Sequence, residues 1–444
     1  MDYKALAQQV IKDCLKKGAE QAEVYLEDNR QLSLEVRNGQ VESVQEAQSY
    51  GLGIRVIAGK RLGFAFVNDF KPESLKKSID RAVEFARAVS PDENNQLPAE
   101  PALTEVKAIY DPDLSAISID RKIALIQEAE KLALNIPGVT KSAGASYGES
   151  ESQIIIANSF NWVKSFKSTG CGYGLGVIAE KGQQKSAGYE STNRRFFADL
   201  KPAKDLARVA AGKAVEMLDP KPLKTQRAAV ILHPDVAYAI LGGFIQAING
   251  QSVLQGASFL GKRAGQKIGS ELITIIDDGT REKGLASAPF DGEGVPTQNR
   301  IIVENGVLKG FLYNTYAGRR AGVKSTGNAS RGGFADLPGI GPHNIYLAAG
   351  QTRPEEIIQN TSRGVLVKEV TGYGINPVNG NFSGGAAGFF IENGKISFPV
   401  KGITIAGTAD EIFNGIDLIG NDLDLNRSLT APTIRIKSLQ IGGE

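Results

Sequence analysis

Apolar residues recur at helical spacing in several stretches of the chain. Leu6, Val10, Ile11, Cys14 and Leu15 line one face over residues 5–17, and Gly18 ends the pattern, as helix ends favour a residue that tolerates a left-handed backbone. Leu75, Ile79, Val83 and Ala86 repeat the spacing over residues 72–89, with Pro72 in the first turn, where its missing N–H is harmless. Residues 120–135 carry Ile123, Ile126, Ala129 and Leu132 and stop before Pro137-Gly138. Residues 203–218 follow, and residues 234–249 give the last long helix, with Val236, Ile240, Leu241, Phe244, Ile245 and Ile248 on a broad apolar face that predicts burial. Between these stretches, β-formers flank Asn-Gly at residues 36–41, 303–308 and 391–396. Asn-Gly supplies the positive-φ pair of a type I′ turn, so each predicts a tight hairpin. Residues 170–176, which alternate Gly with Cys171, Tyr173 and Leu175, read as a strand with one glycine face that a backbone or a ring can approach closely. No fixed-period repeat recurs, which argues against solenoids and propellers.

At 444 residues the chain exceeds one ordinary domain, and two are the default. Asp219-Pro220-Lys221-Pro222 breaks the last helix of the first half. The expected fold is α+β in two domains. Residues 1–220 form an antiparallel sheet with helices, and residues 225–444 a β-rich domain with one long helix. The Pro-, Asn- and acid-rich residues 90–101 read as a surface loop within the first domain.

Charge narrows the function. With 51 basic and 49 acidic residues and a formal net charge of +2, no electrostatic footprint for nucleic acid is expected. Cys14 and Cys171 are the only cysteines, which excludes a disulfide scaffold or thiolate zinc cluster and fits a reducing compartment. No signal-peptide pattern and no long apolar run is seen, so the cytoplasm is the expected location, without membrane contact.

The chemistry-bearing residues are few. His233 and His343 are the only histidines, far apart and each beside a proline, so both read as capping or surface residues; a hydrolytic zinc site needs three protein ligands. Asp277, Asp278, Asp291 and Glu293 could suggest acid–base work, but Gly follows Asp278, Asp291 and Glu293, and Asp-Gly is first a turn signal. Asp422-x-Asp424-x-Asn426 lacks the later Gly and Glu of a calcium loop. Cys171 has no local histidine to activate it. Ser325, Thr326, Asn328 and Arg331 form a polar stretch that either lines a groove for peptide backbone or is a surface loop.

The segments ITIIDDGT (273–280), SAPFDGEGVPTQ (287–298) and KSTGNASRGG (324–333), in this order and spacing, resemble the TldD/PmbA (TldE) family of peptide-processing proteins, once called modulators of DNA gyrase. Residues 282–287, 306–310, 399–402 and 418–422 extend the resemblance, as do the hairpin at 36–44 and residues 51–56. TldD-like members carry a His-Glu-x-x-x-His zinc site on the helix before this region. Counted back without a gap, its histidines fall on Leu241 and Gln246 and its glutamate on Gly242. None can replace imidazole or a general base. The C-terminal cysteine ligand of TldD-like proteins is also absent from residues 420–433.

The resemblance therefore implies the PmbA/TldE branch: a cytoplasmic, non-catalytic subunit with no catalytic or metal residue of its own. Zinc is expected in a TldD-like partner, the assembly is a hetero- or homodimer, and unfolded or modified peptides are the substrate. The helix at 234–249 is expected in the core, with a partner-facing role as the sharper reading. The alternatives are an autonomous hydrolase using His233 or the acids of residues 277–293, and a regulatory binder of gyrase or DNA, which the near-zero charge disfavours.

Overall fold

The structure is a computed structural model that describes residues 1–99, 103–372 and 374–443. Its first sheet is antiparallel and six-stranded. It contains β1 (Gln21–Arg37), β2 (Gln40–Ala58), β3 (Arg61–Val67), β4 (Val139–Asn158), β5 (Trp162–Lys181) and β6 (Gln184–Arg194), in the order β3-β2-β1-β4-β5-β6. Val24, Leu26, Leu32, Leu34 and Val36 of β1 are all buried, at the period of two that sends side chains to one face. On that face α1 (Tyr3–Lys16) and α2 (Pro72–Ala88) pack over Val24 and Leu26, and α3 (Ile119–Leu134) and α4 (Ala203–Glu216) over Leu32, Leu34 and Val36.

The chain runs helix, three strands, helix twice over, and β1 and β4 pair antiparallel at the centre. The two units are thus related by a pseudo-two-fold axis through the sheet. Their packing matches as well. A Cβ on Gly63 of β3 would lie 1.9 Å from the Ala82 carbonyl oxygen and 2.6 Å from the Ala86 nitrogen of α2; one on Gly188 of β6 would lie 2.1 Å and 2.5 Å from the same atoms of Ala210 and Ala214 of α4. In each unit a glycine lets an alanine-faced helix sit directly on the edge strand. This repeat of topology has no fixed sequence period, so periodicity does not reveal it.

The remaining strands are β7 (Gln226–Leu232), β8 (Ile275–Asp278), β9 (Asn299–Glu304), β10 (Val307–Leu308), β11 (Ala329–Ser330), β12 (Gly339–Ile340), β13 (Asn344–Leu347), β14 (Arg363–Thr371), β15 (Asn381–Glu392), β16 (Lys395–Thr408), β17 (Ile416–Ile419), β18 (Leu429–Thr430) and β19 (Ile434–Gly442). They form a six-stranded sheet, β16-β15-β14-β7-β19-β17, a five-stranded sheet, β10-β9-β8-β13-β18, and the pair β11-β12. The architecture is α+β. All three Asn-Gly hairpins form, with φ of 49° and 74° at Asn38-Gly39, 48° and 77° at Asn305-Gly306, and 51° and 72° at Asn393-Gly394.

One element differs from expectation. The stretch 234–249 is not a single long helix but α5 (Pro234–Ala237) and α6 (Ala239–Ala247), followed by α7 (Gly250–Leu254). The ladder tightens at Tyr238, whose carbonyl accepts from Leu241 N–H three residues on, at 2.9 Å. Asn249 then starts a new helix by accepting from Gln251 N–H at 2.9 Å, the capping role Asn prefers over a helix interior. In the loop at 90–101, residues 100 and 101 lie outside the described residues, and Asp92 accepts from Tyr316 Oη at 2.8 Å.

The two halves are joined by buried charge. Glu23 and Arg55 are cross-strand neighbours in the first sheet. Arg55 donates to both Glu23 oxygens, at 3.1 and 2.6 Å, and to Glu293 at 2.8 Å. Arg331 completes the group by donating to Glu23. Glu293 also accepts from the Thr315 N–H at 2.7 Å. These four residues are almost fully buried, and their formal charges cancel.

Arg55→Ala removes the bridge between two buried carboxylates and is expected to destabilise the chain by about 3–5 kcal/mol in urea unfolding. Acid titration gives an independent check. Burial opposes charge on Glu293, but Arg55 and the Thr315 N–H outweigh it and hold the carboxyl below its ordinary 4.5. The stabilisation from Glu293 is then complete above that ordinary value and is lost as pH falls through the depressed folded one. In a stability–pH profile, Glu293→Gln is expected to flatten that part of the acid limb.

Candidate functional site

Because side chains alternate along a strand, β4 and β5 present two unlike faces. Tyr147, Cys171, Tyr173 and Leu175 are buried under α3 and α4. The opposite face carries Gly148 and Gly170 to Gly176 at every second residue. A Cβ on Gly174 would lie 2.5 Å from the Tyr189 hydroxyl, and one on Gly172 2.2 Å from Asn193 Oδ1, so the glycines let these side chains lie flat on the sheet. The carboxy-terminal half stands off from this floor and leaves a cleft of about 880 Å³, bounded by Gly174, Gly176 and Tyr189 below and by Asp235, Tyr238 and Arg427 above.

Asp235, in the first turn of α5, organises the charges at the mouth of the cleft. Its carboxylate lies 2.6 Å from Lys213 Nζ of α4, 3.4 Å from Arg427 and 3.4 Å from His233 Nδ1. Burial disfavours its charge, but the Lys213 ammonium prevails and holds the carboxyl below the usual range. Lys213 is itself raised by Asp235 and Glu190 against the effect of burial. Glu190 accepts from Lys213 at 2.7 Å. This latch of fixed charges spans the two halves. It contains no nucleophile: Cys171 points to the helix-covered face, and burial pushes its thiol up to about 12, where the reactive thiolate is scarce.

Comparison with known proteins identifies the fold's relatives. The models for PmbA/TldA metallopeptidase domain 1, central domain and C-terminal domain match residues 22–86, 112–218 and 225–443. The chain is 32% identical to the metalloprotease PmbA of Escherichia coli O157:H7 over 95% of its own length and 92% of the relative's. The chain belongs to the PmbA/TldD metallopeptidase family. A metalloprotease TldD homologue of Buchnera aphidicola (subspecies Acyrthosiphon pisum) is 26% identical, over 88% of this chain and 86% of the relative's length. The crystal structure of TldE from Thermococcus kodakarensis superposes with a TM-score of 0.90 at 26% identity, covering 99% of this chain and 100% of that one.

Metallopeptidase ancestry calls for a test of the metal position. Leu241 is 1% exposed and packs in the core, Gly242 has nothing within 4 Å of the place a Cβ would take, and Gln246 is exposed on α6. These three residues do not fit a zinc ligand set. Among the described residues, no three His, Cys, Asp or Glu side chains group as a metal site would require.

The other residues singled out in the sequence are engaged in structure. His233 caps α5, its Nδ1 accepting from Asp235 N–H at 3.3 Å. His343 donates its backbone N–H to Asp277 at 2.7 Å, and its Nε2 lies 2.7 Å from the Gly327 carbonyl, which sets that nitrogen as the donor. Asp278 accepts from Thr280 N–H at 2.9 Å, and Asp291 from the N–H groups of Glu293, Val295 and Ala329, each at 2.9 Å. Both fasten turns. Ser325 and Thr326 donate to the Tyr313 carbonyl at 3.2 and 3.1 Å, Asn328 donates to Asp277 at 2.7 Å, and Arg331 to the Gly292 carbonyl at 2.8 Å. The polar atoms of this stretch thus serve the interior of the junction.

The latch residues Lys213, Asp235 and Arg427 carry no motif of their own in the sequence; the signals near them are His233 and the glycine alternation of the floor they face. Asp235→Ala severs α4 from α5 and leaves Lys213 half-buried with one carboxylate fewer. It is expected to cost about 1–3 kcal/mol, measured by urea unfolding, with a smaller loss in molar salt for Asp235→Asn.

Proposed function

We propose that this chain is the PmbA/TldE-like, zinc-free subunit of a TldD/TldE-type metallopeptidase that processes or degrades unfolded or modified peptides. The zinc and the water it activates belong to a TldD-like partner. Bound there, zinc lowers the pKa of its water and supplies the nucleophile; this chain supplies assembly and substrate holding. It consists of two domains, residues 1–220 and 225–444, and works in the cytoplasm. What supports the reading is the side-chain chemistry of α6: a core leucine, a glycine and an exposed glutamine occupy the positions to which the sequence resemblance assigns two imidazoles and a carboxylate.

The cleft supports the holding role. Tyr189 and Asn193 lie flat over Gly174 and Gly172, so the floor is level and accommodates an extended main chain with varied side chains. Ser325, Thr326, Asn328 and Arg331 contribute indirectly, by fixing the junction that shapes the cleft. The balanced charge, +2 over the whole chain, gives the long-range field no preference for nucleic acid.

The test is reconstitution with a TldD-like subunit. Neither purified chain is expected to cleave a fluorogenic unstructured peptide alone, whereas the mixture cleaves it and a chelator stops it. Elemental analysis is expected to place the zinc with the partner. Stoichiometric zinc in this chain together with peptide cleavage by it alone would overturn the proposal.

A further inference from the structure

The end of β6 and the turn after β8 face each other across the junction and enclose a pocket of about 350 Å³. Arg194 and Arg195 line it from the first half and Arg281 and Lys283 from the second, with Asn193 and Asn426 beside them. Lys283 is neutralised by Asp199 at 2.6 Å. The arginines are not: among the described residues, none of the three forms an ion pair with a carboxylate. Main-chain carbonyls hold them instead. Arg194 donates to the Asn193 carbonyl at 2.7 Å and Arg281 to that of Leu425. Arg195, only 7% exposed, donates to the carbonyls of Gly284, Thr169, Leu285 and Ser287 at 2.6 to 3.2 Å.

Carbonyls satisfy hydrogen bonds but bring no net charge, so three positive charges stand uncancelled around one cavity. Burial lowers all three guanidiniums from the ordinary arginine value, and the distant pull of Asp424 and Asp199 on Arg194 does not offset it. The nearby acids are engaged or turned outward. Asp424 lies 3.8 Å from Lys201 and accepts from the Asn426 N–H at 3.0 Å, and Glu282 is exposed at the rim. Beyond Arg194 the pocket opens into a neighbouring one of about 390 Å³, to which exposed Arg208 adds a further guanidinium without an ion pair among the described residues. The contrast with Glu23, Arg55, Glu293 and Arg331, whose charges cancel within the chain, points to a missing counter-charge. Guanidinium forks match the oxygens of carboxylate and phosphate. An excess of three charges suits a dianion better than a monocarboxylate such as a peptide terminus. The volume falls near the lower end of small-ligand sites, roughly 300–1,000 Å³.

We propose that the pocket between Arg194, Arg195 and Arg281 binds a phosphate dianion, free or as the monoester of a small molecule, and that the bound anion ties the two halves together at this corner of the junction. The site lies outside the cleft of the glycine floor and does not depend on the peptide-handling reading above.

Calorimetric titration of the full chain with inorganic phosphate, at constant ionic strength, tests it. One saturable site with Kd of about 1 mM or below is expected, and the melting temperature should rise with phosphate as it fills. Arg194→Gln removes a guanidinium whose one side-chain hydrogen bond among the described residues goes to the adjacent carbonyl. It is expected to weaken binding about tenfold or more while the phosphate-free melting temperature stays unchanged. Arg281→Lys keeps the charge but loses the fork, and an intermediate loss is expected. Arg81→Gln, at an exposed position of α2 outside the pocket, should bind phosphate as the unaltered chain does. Tighter binding of glycerol phosphate than of inorganic phosphate identifies the ligand as a monoester, and the reverse order identifies free phosphate. Absence of a saturable site overturns the proposal, as does equal weakening by Arg194→Gln and Arg81→Gln, or no weakening by Arg194→Gln. Acetate or citrate binding more tightly than phosphate overturns it as well.

Discussion

The geometry of the molecule depends on Glu23, Arg55, Glu293 and Arg331, two carboxylates and two guanidiniums closed off from solvent at the junction of its halves. Such a group tolerates little displacement. A charge buried without its partner costs several kcal/mol, so sliding one half over the other would strand at least one of the four. Arg195 adds a second tie. It is buried and donates to the carbonyls of Gly284 at 3.0 Å and Leu285 at 2.6 Å across the junction, and burial lowers it to about 10. Together these arginines fix the height of the carboxy-terminal half above the first sheet. The cleft is the space that remains.

Within that frame, glycine decides what touches what. Gly63 and Gly188 bring α2 and α4 onto the two edge strands, whereas Gly172 and Gly174 lie on the opposite face and let Asn193 and Tyr189 fold down over the floor. The same residue type thus brings helices onto one face and lets side chains lie flat on the other. The pseudo-two-fold axis carries this logic to the sheet edges. The connection after α2 is long enough to cover one of two equivalent edges, and the connection after α4 is consumed in reaching β7. An asymmetry in connection length, in a sheet of nearly symmetric topology, therefore leaves β2 over residues 40–50 without a neighbouring strand on its outer side among the described residues.

Local chemistry was readable in the sequence and convergence was not. Asn38-Gly39, Asn305-Gly306 and Asn393-Gly394 encode their hairpins because the turn type demands positive φ at both positions, a requirement met within two residues. The helices over residues 5–17, 72–89 and 120–135 are encoded by spacing, and the structure places them within a residue or two. The break at Tyr238 escaped the periodic pattern because apolar residues continue through it; what interrupts the helix is the backbone ladder tightening from Leu241 to Tyr238. The charge groups escaped it for another reason. Glu23 and Arg55 meet Glu293 only when segments more than two hundred residues apart have come together, and Lys213 meets Asp235 only across the junction. Nothing local to either residue signals the partner. The polar run at 325–331 illustrates the limit: its composition suits a groove or a loop equally, and only the contacts of Asn328 and Arg331 show where its hydrogen bonds go.

The position of α6 explains how a metallopeptidase scaffold can persist without metal-ligand side chains on this helix. Ile240, Leu241 and Phe244 sit in the same buried cluster as Val230 and Leu232 of β7 and Val365 and Val367 of β14, and Gly243 lies against the Ile375 carbonyl, where a Cβ would come within 2.0 Å. The helix is held by its apolar side and by backbone contact, independently of any bound ion. Metal-ligating side chains at residues 241, 242 and 246 are therefore not needed to hold the fold; burial of Leu241 itself contributes, at roughly 25 cal/mol per Å² of apolar surface. A structural zinc site is different, because its binding energy is folding energy. The charged junction and the glycine floor of the cleft are likewise built from residues remote from α6.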